Sequence, residues 1–161
     1  MKFIKESIPY LIIVLVVLII RTFIVTPIVV NGESMVPTLS GGEVMILKKY
    51  DKNYNRFDVV VVNKSVEGDS LIKRIIGLPG ETIRYKKEKL YINDKIVKDK
   101  YANGTTGNFQ EITLKDDEYF LMGDNRDISL DSRILGPIHK NQIEGKTSFI
   151  LFPFNQFGYI K

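Results

Sequence analysis

One serine, Ser34, lies in the stretch Gly32-Glu33-Ser34-Met35-Val36-Pro37-Thr38, just beyond an apolar N-terminal run. Proline fixes its own φ and restricts the residue before it, while glycine admits turn conformations closed to other residues, and the setting reads as a nucleophile held at a membrane surface. A serine hydroxyl needs a base before it can attack a carbonyl. The chain has one histidine, His139, and no cysteine, so histidine-assisted routes have little to draw on. Lysine is the base to seek.

Lys73 is the candidate. In Ser70-Leu71-Ile72-Lys73-Arg74-Ile75-Ile76, strand alternation sets Leu71, Lys73 and Ile75 on one face and Ile72, Arg74 and Ile76 on the other. A cation on each face of an apolar strand has two explanations. Either this is an edge strand whose cationic heads both reach water, or Lys73 is buried beside Ser34. Burial would have a chemical consequence, because an amine with a pKa of about 10.4 is protonated at neutral pH and cannot accept the serine proton. Lowering that pKa to around 8 takes about 3 kcal/mol of differential destabilisation, within reach of desolvation between apolar neighbours.

A third stretch, Gly123-Asp124-Asn125-Arg126-Asp127-Ile128-Ser129-Leu130-Asp131-Ser132-Arg133, is dense in charge. As a calcium loop it fails, since Ser129 stands where the glycine belongs and Leu135 where the bidentate glutamate belongs. Alternating Asp, Arg and Ser instead suit a hydrogen-bonded scaffold whose charges satisfy one another. With no cysteine and one histidine, a zinc or iron site is equally poor, and no metal or cofactor is expected.

These residues need elements to position them. From Ile8 to Val25 the chain is apolar apart from Arg21 and Thr22, about 18 residues or ~27 Å as a helix, enough to span a bilayer. A buried core helix and a cleaved signal peptide are the competing readings, but no small residue between Ile20 and Asn31 offers a processing site. Lys2 and Lys5 ahead of the span argue for a cytoplasmic N-terminus, and Arg21 near its end can keep its head at the interface. The expected organisation is a short cytoplasmic tail at 1–7, a transmembrane anchor at 8–25 and an extracytoplasmic domain at 26–161.

The net charge of +4, from 23 Lys and Arg against 19 Asp and Glu, is spread along the chain. Nucleic acid is not implied, and membrane lipid is compatible. Past Pro27, short Val, Ile, Tyr and Phe runs between turn clusters predict a mainly β, antiparallel domain. Strands are expected at Val44–Lys48, Asp58–Asn63, Leu71–Ile76, Thr82–Tyr85, Lys89–Ile92, Glu118–Met122 and Lys146–Pro153. Gly41-Gly42, Gly68-Asp69, Leu78-Pro79-Gly80 and Asn93-Asp94 supply turns, no later helix of convincing length is expected, and Tyr101 to Asn108 reads as a flexible exposed loop.

Three boxes in order behind an anchor resemble type I signal peptidases, the membrane-bound Ser-Lys proteases that remove signal peptides from exported proteins, in a short, Gram-positive-like form. The boxes are Ser34-Met35-Val36-Pro37-Thr38-Leu39, Lys73-Arg74-Ile75-Ile76-Gly77-Leu78-Pro79-Gly80-Glu81, and Gly123-Asp124-Asn125-Arg126 with Ser129, Asp131, Ser132 and Arg133. Arg56-Phe57-Asp58-Val59-Val60-Val61 resembles a further strand motif, with Phe57 where glycine is common. Short mitochondrial inner-membrane relatives share the same pair of residues.

The resemblance implies that Ser34 is the nucleophile and Lys73 the general base, with Ser129 orienting the lysine amine through its hydroxyl. Asp131 and Arg133 would brace the site, and Arg74 would pair with Asp124. Some members carry a serine two residues before the nucleophile to help hold the oxyanion; here that position is Gly32, leaving the Ser34 N–H and another donor. Substrates would be signal-peptide-bearing preproteins cut after a small-X-small, Ala-X-Ala-like sequence. Val30, Met35, Leu39 and Ile72 would line the pockets, although as apolar residues they equally suit a core.

Two rivals share features with this reading. A self-cleaving repressor would use Ser-Lys chemistry but needs a DNA-binding helical module, where this chain has an apolar span. An inactive homologue acting as a binding protein should have lost Ser34 or Lys73. His139 reads as an exposed turn residue with no motif carboxylate beside it, and the sequon Asn103-Gly104-Thr105 as a chance match.

Overall fold

The computed structural model describes residues 2–63 and 70–160; the expected Gly68-Asp69 turn lies outside them. Helix α1, Lys2–Ile19, continues through a π-helical turn, Ile20–Ile24, directly into strand β1, Val25–Val29. The span Glu6–Ile24 is the one helix among the described residues long and apolar enough to cross a membrane, and none of it is buried in the protein. The core-helix reading therefore has no core to occupy. The helix ends one residue earlier than expected because the chain is captured by the sheet: the Lys49 N–H bonds to the Ile24 carbonyl at 2.9 Å. The Lys49 ammonium and the Thr26 hydroxyl also take the Thr22 and Arg21 carbonyls, at 3.3 and 2.5 Å, satisfying groups that a helix end leaves open.

The remaining strands are β2 (Val44–Lys48), β3 (Val59–Val62), β4 (Leu71–Gly77), β5 (Thr82–Lys86), β6 (Lys89–Ile92), β7 (Lys95–Val97), β8 (Phe109–Thr113), β9 (Glu118–Met122), β10 (Ile138–His139), β11 (Ile143–Phe152) and β12 (Gly158–Tyr159). A large sheet runs β1-β2-β11-β3-β4-β9-β10, with β12 added to β11, and a second sheet runs β7-β6-β5-β8. Each pairing between neighbouring strands is antiparallel, in agreement with the expected fold class. Pro27 sits on β1, the sheet edge, where a missing N–H costs no ladder bond.

Strands β2, β6 and β9 take the expected bounds, β4 and β5 run one residue longer at their C-terminal ends, and β3 is one residue shorter at each end. Strand β11 starts three residues early, before Gly145, where the backbone of Lys48 passes so close that a side chain would collide with it. Strands β1, β7, β8, β10 and β12 were not expected: β1 is masked by Pro27 and by following the apolar helix without a break, the others by their shortness or polar composition. A single helical turn, α2 (Ser132–Leu135), is capped by Asp131, whose side chain accepts the Arg133 N–H. The Tyr101 to Asn108 stretch corrects its expectation. Asn103 to Thr105 are exposed, but Thr106 is buried and Asn103 forms a parallel bridge with Asn125.

Candidate active site

Strand β4 lies between β3 and β9, so the edge-strand account of its two cations fails. Lys73 and Arg74 are 4% and 2% exposed. Lys73 stands opposite Val60 of β3, in surroundings that include Val62, Leu71, Leu121 and Leu130. Its Nζ lies 2.6 Å from Ser34 Oγ. Burial pushes the Lys73 amine down to about 8, against Asp131, which raises it; Arg133 lowers it further and Asp124 opposes. The apolar wall thus does what the strand pattern required of it.

Ser34 opens a tight turn after β1, in which the Leu39 N–H bonds to the Met35 carbonyl at 3.0 Å. Its own carbonyl accepts the Asn125 N–H at 3.0 Å, and the Asn125 side chain donates to the Glu33 carbonyl at 3.3 Å. Gly123 makes this contact possible: a Cβ there would overlap the Ser34 carbonyl and the Ser129 side chain. Gly32 has a φ of +81° with open space around it, so a serine at this position would be strained by its backbone and not by crowding.

Arg74 forks onto Asp124, with Nε to Oδ1 at 2.7 Å and Nη2 to Oδ2 at 2.6 Å. It also donates to the Phe57 carbonyl at 2.8 Å. Phe57 has a φ of +71°, which explains why glycine suits that position. Thr38, which the sequence reading did not single out, donates to Asp124 Oδ2 at 2.5 Å and so ties the serine turn to the same carboxylate. Arg126, also missed, is buried; it donates to the Gly123 carbonyl at 2.9 Å and to Asp99 at 2.7 Å.

Asp131 accepts the Gly123 N–H at 3.0 Å and holds Arg133 through Nε at 2.9 Å. The Ser129 hydroxyl accepts from the same Gly123 N–H at 3.1 Å. Among the described residues no hydrogen bond joins Ser129 to Lys73, so here its contact is with the loop backbone and not with the amine. Val30, Met35, Leu39 and Ile72 meet in one buried cluster with Met45, Leu47, Val59, Val61 and Ile150. Of the four, only Ile72 also lines the adjacent open cleft of about 260 Å³, together with Ile28, Val29, Asn31, Val61 and Glu144. The other three are packed as core, because the close curl of the serine turn against the sheet leaves their side chains no open side.

His139 is exposed, and its Nδ1 lies 3.0 Å from Asp117, a carboxylate the sequence alone did not bring to it. Among the described residues no group of three or more His, Cys, Asp or Glu side chains is placed to hold a metal ion.

Comparison with known proteins shows the family. The family model described as signal peptidase, peptidase S26, matches residues 3–152. A protein named signal peptidase I from Bacillus amyloliquefaciens is 42% identical over 163 residues, covering 92% of this chain and 87% of that protein. Signal peptidase IB from Staphylococcus aureus (strain MRSA252) is 37% identical over 166 residues, covering 89% and 86%. A crystal structure of a signal peptidase I from Enterococcus faecalis V583 superposes with a TM-score of 0.50 at 31% identity, covering 58% of this chain and 96% of that one. The matched span takes in Ser34, Lys73 and the whole 123–133 loop, and the chain belongs to the signal peptidase family, peptidase S26, as a serine endopeptidase of signal peptide processing.

Proposed function

We propose that the chain is a membrane-anchored Ser-Lys endopeptidase that cuts signal-peptide-bearing preproteins after small-X-small sequences. The carrying observation is the 2.6 Å contact between Lys73 Nζ and Ser34 Oγ at a buried amine whose pKa has dropped to about 8. At pH 7 about one amine in ten is then neutral, against fewer than one in a thousand for a free lysine. Neutral Lys73 takes the Ser34 proton as Oγ attacks the scissile carbonyl. The resulting ammonium gives its proton to the leaving amine, an acyl-enzyme forms on Ser34, and Lys73 then activates the water that releases it. Asp131, itself braced by Arg133, and Ser129 hold the Gly123 N–H, and Arg74 with Asp124 holds the serine turn. The Ser34 N–H is the available oxyanion donor from the nucleophile itself, and Gly32 adds no side-chain donor.

The substrate enters as an extended segment along the edge strand β1, with alternate side chains directed to the cleft floored by Val61 and Ile72. Small side chains fit such a shallow apolar floor. The anchor fixes the domain against the bilayer with the N-terminus cytoplasmic, following Lys2 and Lys5, and the catalytic domain on the outer side, which gives residues 1–7, 8–25 and 26–161 their roles. Support for lipid contact comes from the lack of any linker between helix and β1, and from the row that joins exposed Val29 to exposed Phe152 across β2. Site and membrane-held substrate then share one thin layer, a gain in effective concentration.

The test uses the full chain in detergent with a membrane-inserted peptide carrying Ala-X-Ala. Cleavage after the second alanine is expected for the wild type and is lost in Ser34→Ala and Lys73→Ala. Unchanged cleavage by Lys73→Ala would overturn the mechanism.

A further inference from the structure

The stretch from Asp99 to Thr106 lies outside every box that carries the family resemblance, yet Asp99 and the run Asn103 to Thr106 meet the 123–133 loop and Tyr101 meets Arg74. Tyr101 lays its ring over the Arg74 guanidinium, 3.5 Å from ring centre to Cζ, and the Phe57 ring packs against it, tilted, with centroids 5.5 Å apart. Asn103 then brackets Asn125. Its N–H donates to the Asp124 carbonyl at 2.8 Å, and its carbonyl accepts the Arg126 N–H at 2.8 Å. Asn125, held between those bonds, is the residue whose N–H grips the Ser34 carbonyl.

Further ties come from Gly104, Thr105 and Thr106 and from Asp99. Gly104 turns with a φ of +85° against the Asp127 carboxylate, leaving no room for a Cβ. The Thr105 N–H donates to Asp127 Oδ1 at 3.0 Å. Arg126 Nη1 reaches Asp99 at 2.7 Å and the Thr106 hydroxyl at 3.0 Å. An ordinary surface loop would spend these groups on water; here they are spent on the backbone that carries the active site.

We propose that residues 99–106 form a strap that holds the 123–133 loop in register with Ser34, and that Tyr101 is a positioning residue acting through Arg74 and Asp124. The physical route is short. Tyr101 covers the outer side of the Arg74 fork and keeps water from competing for it. That fork fixes Asp124, which takes the Thr38 hydroxyl of the serine turn. Asn103 fixes the Asp124 carbonyl and Asn125. When the strap slackens, Ser34 shifts against Lys73, and displacements of this kind lower rate more than binding.

The proposal rests on Ser34 and Lys73 being the reacting pair, so its test reads two quantities, one independent of that assignment. Tyr101→Leu and Tyr101→Phe are compared with wild type in the full chain, with Ser34→Ala as the control. Tyr101→Leu is expected to lower kcat by roughly tenfold with KM within about twofold, while Tyr101→Phe, which keeps the ring over Arg74, retains at least about half of kcat. The charged groups acting on Lys73 are Asp131, Arg133 and Asp124. An Asp124 less completely paired raises the lysine, so the acid limb of the rate profile moves to higher pH in Tyr101→Leu only. Amide hydrogen exchange supplies the readout independent of activity: the Asn125 and Arg126 amides exchange faster in Tyr101→Leu than in Tyr101→Phe. Cleavage by Ser34→Ala would overturn the site assignment and leave the exchange result to judge the strap. A melting temperature lowered in Tyr101→Leu with unchanged kcat, pH limb and exchange at Asn125 and Arg126 would overturn the strap.

Discussion

Lys73 and Arg74 are neighbours in the chain, and β4 sends their heads to opposite destinations. Lys73 Nζ meets Ser34 Oγ at 2.6 Å, while Arg74 closes a two-pronged ion pair on Asp124. In the proposed mechanism a single strand therefore supplies the base from one face and braces the turn of the proposed nucleophile from the other. The division follows from the two-residue period of a strand, and neither role survives a one-residue shift of register.

The first consequence is in the rate profile. On the proposed mechanism, in which neutral Lys73 accepts the serine proton, kcat/KM should rise with pH on a limb near 8, because burial has lowered the lysine pKa to about 8. Cleavage of a fixed peptide between pH 6 and 10 measures this. A limb near 10 would mean that the amine is solvated.

The same burial has a cost in stability. Lys73 loses its proton near 8 in the folded chain and near 10.5 unfolded. Between those values the unfolded state binds more protons, so stability rises with pH across that window, and below it the penalty is fully present. Lys73→Met should therefore be more stable than wild type at pH 7, by up to about 3 kcal/mol, while being inactive. The gap should narrow by pH 10. Urea unfolding of both proteins at the two pH values tests it, and a gap independent of pH would remove the buried amine as its cause.

Gly123 offers a test of packing at the nucleophile. A methyl there would overlap the Ser34 carbonyl and Ser129, so Gly123→Ala should displace the serine turn and lower kcat by about 100-fold. Circular dichroism should still report a folded β domain, since the overlap is local. Full activity in Gly123→Ala would mean that the contact yields without moving Ser34.

Much of the fold was legible because alternation is a local property. Val44–Lys48, Lys89–Ile92 and Glu118–Met122 could be bounded from side-chain pattern alone, and turns at Gly42, Gly80 and Asn93-Asp94 followed from residues that take positive φ. The β5–β6 turn at Lys87-Glu88 uses the same backbone region, at φ +50° and +54°, with residue types that do not advertise it. Strand β1 was hidden because Val25-Thr26-Pro27-Ile28-Val29 runs straight on from the apolar helix and carries a proline.

The sequence by itself determined the chemistry on offer: one serine in a constrained turn, a lysine on an apolar strand, a charged loop and an apolar span. Only the tertiary structure decided whether Lys73 was solvated, because an edge strand and a central strand read alike along the chain and differ in what pairs on either side. It also converted Val30, Met35 and Leu39 into core, turned Ser129 toward Gly123, and bound the polar stretch at Tyr101 to Arg74. Apart from the Ser129–Gly123 contact, which is local, these depend on contacts between residues far apart in the chain, and composition and spacing carry no record of such meetings.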